Sequence, residues 1–184
     1  MMNINPYRLF YTFTKIEKMD SAFYLNEFRL AAGEIPKEKL DKDHLNLSID
    51  TVLESVALKM YKSEWYGDAE LPKEASGRIF FSIWVNEKTI EEGRIYYNIH
   101  ALKLRELKRY KIASKDFAKN FRNEFLKHQK EWPNVSVNFG PLTLMEGWIE
   151  LKNDFIQEDV YNLAQKFLKI NSIIDKVLEK YKKQ

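Results

Sequence analysis

Gly77-Arg78-Ile79-Phe80-Phe81-Ser82-Ile83 recurs in nearly the same form sixteen residues later as Gly93-Arg94-Ile95-Tyr96-Tyr97-Asn98-Ile99. Each stretch opens with a glycine and continues with β-branched and aromatic residues, which is typical of a β-strand. Polar residues 86–92 between them fit the loop of a hairpin. Because successive side chains of a strand point to opposite faces, the paired aromatics predict aromatic surface on both faces of the sheet. One face can pack against helices, and the other needs a covering element, a ligand or a binding partner.

The chain after this hairpin predicts a helix, two more strands and a long final helix. Ser114 suits the start of the first helix, Gly140-Pro141 the turn between the strands, and Asp154 with Gln157 resembles a capping box. The predicted bounds are residues 114–131 for the helix, 135–139 and 143–151 for the strands, and 155–182 for the final helix. Residues 77–184 therefore run strand-strand-helix-strand-strand-helix, which predicts an antiparallel four-stranded sheet made of two hairpins.

The first third of the chain, residues 1–66, predicts mostly helix. Asn5-Pro6 favours a helix over residues 5–16, although alternating aromatics and threonines there also suit a strand. Residues 21–32 predict a second helix, and residues 35–46 a polar linker. A third helix is expected over residues 48–66, whose apolar positions follow a helical stripe. The whole chain, residues 1–184, is therefore interpreted as a single α+β domain with a long C-terminal helix.

Composition favours a globular protein of the bacterial cytoplasm. Apolar residues make up 45% and charged residues 31% of 184 residues, and there is no cysteine. The absence of cysteine excludes disulfides, thiolate zinc sites and cysteine nucleophiles, and it fits a reducing compartment. The first residues do not follow the pattern of a signal peptide, and no apolar run approaches about 20 residues, so we expect a protein without contact with a membrane.

Positive charge is concentrated in the middle of the chain. Residues 102–130 carry ten Lys or Arg against three acidic residues, whereas the chain as a whole has a net charge of +3. A basic stripe near an aromatic residue such as Tyr110 is attractive to phosphate backbones and to acidic protein surfaces. The candidate partner-binding residues are Lys103, Arg105, Lys108, Arg109, Lys115, Lys119, Arg122 and Lys130. They predict binding to nucleic acid or to an acidic protein, and the alternative is an ordinary solvated helix face.

Residues 148–152, Trp-Ile-Glu-Leu-Lys, resemble the E-x-K half of the PD-(D/E)XK nuclease motif. Glu150 and Lys152 project to one face of a strand together with Glu146, where a carboxylate could hold Mg²⁺ and the ammonium could steady an attacking water. The aspartate that this family places on the preceding strand is missing. A metal-dependent nuclease is therefore an alternative, and we expect Glu150 instead to be a surface residue paired with a Lys or Arg.

Two further alternatives concern the final helix. It could enclose a small-molecule pocket against the aromatic sheet, or its apolar positions, which recur every seven residues, could form the seam of a homodimer. A helix that lies across its own sheet shows the same stripe. His44, His100 and His128 lack metal-ligand spacing, and the sequence contains none of the common phosphate-loop, hydrolase or zinc-protease motifs. We therefore expect a binding protein without cofactor or metal rather than an enzyme.

Overall fold

The computed structural model describes residues 19–67 and 77–183. The strands are β1 (Leu45–Val52), β2 (Ser55–Lys62), β3 (Arg78–Val85), β4 (Arg94–Leu102) and β5 (Thr143–Glu150). The helices are α1 (Ser21–Gly33), α2 (Lys37–Lys42), α3 (Glu87–Glu91), α4 (Ser114–Phe125) and α5 (Ile156–Glu179). The five strands form one sheet in chain order, and every neighbouring pair is antiparallel. The α+β class is thus confirmed, and the sheet has one strand more than was predicted.

The repeated stretch forms the β3–β4 hairpin, as predicted. Phe81 lies opposite Ile99 and Ser82 opposite Asn98, and because the strands are antiparallel only Ser82 and Asn98 are equivalent positions of the two copies that face each other. The connection contains the short helix α3, which opens with a capping box. Thr89 N donates to Asn86 Oδ1 at 3.0 Å, and Asn86 N donates to Thr89 Oγ1 at 2.9 Å. These reciprocal bonds fix where the helix starts.

The helix predicted over residues 48–66 is wrong, because this region forms the β1–β2 hairpin. Leu53 and Glu54 make its turn with φ values of 48° and 62°, the left-handed conformation of a two-residue hairpin turn. Val56, Leu58 and Met60 are fully buried and sit two residues apart, so they satisfy a strand period as well as part of a helical stripe. Pairing of β2 with β3 decides between the two periods. The described part of residues 1–66 is therefore not mostly helical.

Several smaller predictions can be compared with the described residues. The helices at residues 21–32 and 155–182 and the strand at residues 143–151 are confirmed with nearly the predicted bounds. The helix that begins at Ser114 ends at Phe125 instead of residue 131. The polar linker at residues 35–46 contains α2 and the start of β1. The predicted element at residues 5–16 lies outside the described residues.

Two local predictions differ from the structure. Residues 135–139 do not form a strand; only Ser136 pairs with Glu146, through backbone bonds of 2.8 and 3.0 Å. The capping box at the start of α5 is also absent: Phe155 precedes the helix without a side-chain cap. Gln157 Nε2 instead donates to Glu27 Oε2 at 2.9 Å, which ties α5 to α1.

The core lies between one face of the sheet and the helices α1, α4 and α5. Phe81 of β3 stacks on Phe167 of α5, with ring centroids 4.3 Å apart and planes inclined by 4°. Phe28 from α1 and Phe121 from α4 join the same buried cluster. The apolar stripe of α5 faces this cluster and is buried within the chain. The structure therefore uses the stripe for packing against the sheet, the alternative to a dimer seam.

The opposite sides of α4 provide a matched test of this packing. Phe121 is fully buried, whereas Leu126, just beyond the helix end, is 59% exposed. Phe121→Ala is expected to lower the free energy of unfolding by about 3–5 kcal/mol, because apolar burial is lost and a cavity remains. Leu126→Ala should change it by no more than about 0.5 kcal/mol. Equilibrium denaturation in urea measures both, and equal losses would contradict the orientation of α4.

Candidate functional site

The second face of the sheet carries a row of polar side chains across three strands. Ser82 Oγ donates to Asn98 Oδ1 at 2.7 Å, and Asn98 Nδ2 donates to Glu146 Oε2 at 3.2 Å. Ser82 and Asn98 are buried, so these bonds compensate for the loss of water around them. The row therefore links β3, β4 and β5 on the side away from the helices.

Aromatic and cationic side chains flank this polar row on both sides. On one side, Trp84 stacks on Tyr96 with centroids 5.2 Å apart, and the Arg94 guanidinium lies 4.1 Å from the centre of the Trp148 ring. On the other side, the Phe80 ring is approached by the Lys59 ammonium at 5.2 Å, the Arg78 guanidinium at 5.9 Å and the His100 ring at 5.4 Å. Cation–π contacts of this kind are attractive. The second face is thus a network of mutual contacts and not a bare apolar platform.

His100 is the titratable ring of this face. Its Nδ1 lies 3.3 Å from both Leu142 O and Thr143 Oγ1. Burial lowers the pKa of His100, and the positive charges of Lys59 and Arg78 act in the same direction. The Leu142 carbonyl and Glu146 oppose this shift without reversing it. The imidazole is therefore held in its neutral form at neutral pH.

The candidate catalytic residues Glu146, Glu150 and Lys152 do not converge on a metal site. Glu150 Oε2 pairs with Lys152 Nζ at 3.2 Å, and both side chains are more than half exposed, which confirms the expected surface ion pair. Glu146 is engaged with Asn98. Within residues 19–67 and 77–183, no group of three His, Asp or Glu side chains could hold a metal ion. Divalent ions need several oxygen ligands, so the described geometry gives the nuclease alternative no support.

Around Phe167, side chains fill the space between α5 and β3. Trp65 packs edge-on against Phe167, which itself stacks on Phe81. Asp175 of α5 accepts from Trp65 Nε1 at 2.8 Å and from Lys62 Nζ at 2.6 Å. At this position α5 packs directly on the sheet, and the alternative of a small-molecule pocket between the sheet and α5 stays a prediction.

The basic central segment is fastened to the C-terminal end of α5. Lys111 N donates to Tyr181 O at 2.8 Å, and Lys183 N donates to Arg109 O at 3.0 Å. Asn120 Nδ2 of α4 donates to Tyr181 Oη at 2.6 Å. The C-terminal residues bring four exposed lysines to this end of the molecule: Lys176, Lys180, Lys182 and Lys183.

We define the basic surface as the exposed Lys and Arg side chains of residues 103–119 together with these C-terminal lysines. Sequence analysis missed the C-terminal contribution, because lysines at a helix end are already explained by the helix dipole. Only the backbone pairing of two distant segments shows that they belong together. The predicted residues that are exposed here are Lys103, Arg105, Lys108, Arg109, Lys115 and Lys119. Lys130, also exposed, follows α4 in a short 3₁₀ turn.

Arg122 has a different role from the other candidates. Its Nε donates to Leu144 O at 3.1 Å, and Nη2 donates to the carbonyls of Phe139, Gly140 and Thr143 at 2.9, 3.0 and 2.9 Å. The expectation that Arg122 is free to meet a partner does not fit these bonds. The side chain instead holds residues 139–144 against α4.

No family model, curated protein or solved structure matches this chain. In the parts of the chain that the structure describes, every helix is too short or too polar to cross a bilayer. Function is therefore inferred from the geometry of the surfaces described above.

The role of Arg122 can be tested by its loss. Arg122→Ala should lower the free energy of unfolding by about 1.5–3 kcal/mol, because charge-assisted hydrogen bonds to four carbonyls disappear. Lys119→Ala, one turn away on the exposed side, should change it by at most about 0.5 kcal/mol. Urea denaturation compares the two variants. If Arg122→Ala were as stable as Lys119→Ala, the four hydrogen bonds would contribute nothing to the free energy of unfolding.

His100 makes stability depend on pH. Because its folded pKa lies below the unfolded value of about 6.5, the unfolded chain binds the proton more tightly. The contribution of His100 is therefore fully present above about pH 6.5 and is lost as the pH falls toward the folded pKa. His100→Gln should reduce the loss of stability between about pH 7.5 and about pH 5. His44→Asn, which changes the exposed histidine with φ 53°, is the control, and an equal reduction in both variants would argue against the assignment.

Proposed function

We propose that this protein is a non-catalytic binding protein whose basic surface binds an acidic macromolecule. The observation that carries the proposal is the pair of backbone hydrogen bonds between residues 109–111 and 181–183. They place two lysine-rich segments, far apart in sequence, side by side at one end of the molecule. A cluster of like charges raises the local concentration of an oppositely charged partner and speeds its association.

Exposure and anchoring both support this role. The cationic side chains of the surface are exposed, while their backbone is tied down by α4 and the end of α5. Lys176 and Lys182 are paired with Glu124 and Glu179, at 2.8 Å in each case. Both lysine side chains are more than half exposed, and ion pairs at the surface are weak, so a polyanion can compete for the lysines. The partner classes that fit are the sequence-independent phosphate backbone of a nucleic acid and an acidic protein.

Charge reversal on α4 tests the proposal. Lys115→Glu with Lys119→Glu should abolish binding to polyglutamate and to a mixed-sequence oligonucleotide, and leave folding nearly unchanged. Arg122 is kept, because its change would disturb the loop that it holds. Wild-type affinity should fall linearly with salt on a log–log scale, with a slope set by the charges neutralised. Fluorescence anisotropy at several salt concentrations measures both effects.

The control pair is Lys88→Glu with Lys152→Glu, which changes the net charge equally. Lys88 lies in α3 and Lys152 follows β5, beside the pair of Arg94 with Glu150. This is the opposite end of β4 from Lys103, roughly 30 Å away for nine strand residues. The control should retain binding. If both pairs of changes weaken binding equally, only net charge matters, and an absence of salt-sensitive binding by the wild-type protein would refute the function.

A further inference from the structure

The loop held by Arg122 presents large apolar side chains to solvent. Phe139 is 37% and Leu142 51% exposed, although the backbone of both residues is fixed. The Phe139 carbonyl accepts from Arg122, and the Leu142 carbonyl accepts from Ala101 N at 2.9 Å. Exposed apolar side chains on a fixed backbone bind a partner without the entropic cost of ordering the loop.

Leu126 belongs to the same side of the molecule. It follows Arg122 by four residues, and its N–H donates to the Arg122 carbonyl at 3.0 Å, so both project from one face of the helix. Leu126 is 59% exposed. We name Leu126, Phe139 and Leu142 the apolar patch. Arg122 links them, because its backbone carbonyl accepts from Leu126 N and its guanidinium donates to Phe139 O. Exposed apolar side chains with a polar rim mark interaction sites.

The patch and the basic surface share one stripe of α4. Lys115, Lys119, Arg122 and Leu126 are separated by four, three and four residues, the spacing of one helix face. The stripe thus begins with the exposed lysines of the basic surface and ends at the apolar patch. Exposed Lys127 and Lys130 continue the positive charge past Leu126.

We propose that the partner of this stripe is an acidic protein segment with apolar anchor residues. This proposal rests on the proposed function and names the class of its partner. The charge of the rim requires an acidic ligand. Apolar anchors surrounded by charged residues are the pattern of protein–protein interfaces. A nucleic acid is bound chiefly through its phosphates and by stacking of its bases on aromatic rings, and Phe139 is the single aromatic residue of the patch, so the two exposed leucines favour a protein segment.

The test is selection from a phage-displayed library of random short peptides on the immobilised full-length protein. Selected peptides should combine Asp or Glu with Leu, Phe or Trp. Synthetic versions should bind the Leu126→Ser, Leu142→Ser double variant about tenfold or more weakly than the wild-type protein, which corresponds to about 1.4 kcal/mol. Lys115→Glu with Lys119→Glu should also weaken them. Circular dichroism verifies that each variant is folded.

The matched control is Leu30→Ser with Leu53→Ser, which removes two leucines that are 47% and 93% exposed elsewhere on the surface. This variant should bind the selected peptides as the wild-type protein does. Peptides that are only acidic, no enrichment at all, or equal losses in the two leucine variants would overturn the inference. Tighter binding of an oligonucleotide that is insensitive to Leu126 and Leu142 would assign the surface to nucleic acid. In that case salt-sensitive polyanion binding persists and the proposed function stands, whereas loss of all polyanion binding removes both.

Discussion

The alternation of side chains along the β3–β4 hairpin sets the two faces on which the rest of the structure depends. Phe81 and Ile99 point toward the helices, while their neighbours Phe80 and Asn98 point away. Since a shift of one residue in register would exchange the two sets, burial of one face strongly specifies the pairing of the repeated stretches. On β3 and β4 the buried face is apolar except for the Tyr97 hydroxyl, whereas Lys62 of β2 reaches Asp175 of α5. The other face carries Ser82 and Asn98, which compensate for burial by bonding to each other.

This division explains which features could be predicted from the sequence. The hairpin at residues 77–99, the strand at residues 143–150 and the helix α5 have periods that admit a single interpretation. The residues of β1 and β2 do not: Val56 and Met60 are four apart and suit a helix, but Leu58 between them completes a strand. Pairing of β2 with β3 resolves this ambiguity, and the local sequence pattern does not predict that pairing. Leu53 and Glu54 do not predict the turn between β1 and β2 either, because left-handed hairpin turns usually carry Gly, Asn or Asp.

The candidate site divides in the same way. The exposure of Lys115 and Lys119 follows from the helical period, because Phe117 and Phe121 define the buried side. The helical period also places Arg122 on the exposed side. The side chain does point away from the buried side, but the period does not predict its bonds to residues 139–144. A long guanidinium side chain can turn back onto carbonyls of another segment, and that depends on where residues 139–144 lie. The backbone hydrogen bond between Arg109 and Lys183 is likewise a tertiary contact, which the local sequence around either residue does not predict.

Arg122 connects stability with the proposed recognition of a partner. Its guanidinium has five N–H donors in a fixed plane and cannot lose its charge near neutral pH, so it serves loop carbonyls that a lysine could meet only one or two at a time. By holding the Phe139 and Thr143 carbonyls, it fixes the backbone that exposes Phe139 and Leu142. In the proposed function, the lysines around it attract an acidic partner over a distance of about a Debye length, some 8–10 Å at physiological salt. The apolar patch acts only on contact, where removal of water supplies affinity that salt does not screen. In the proposed function, long-range charge on α4 and short-range apolar burial at the apolar patch thus divide recognition into encounter and retention, and the bonds of Arg122 fix the loop residues of the patch relative to α4.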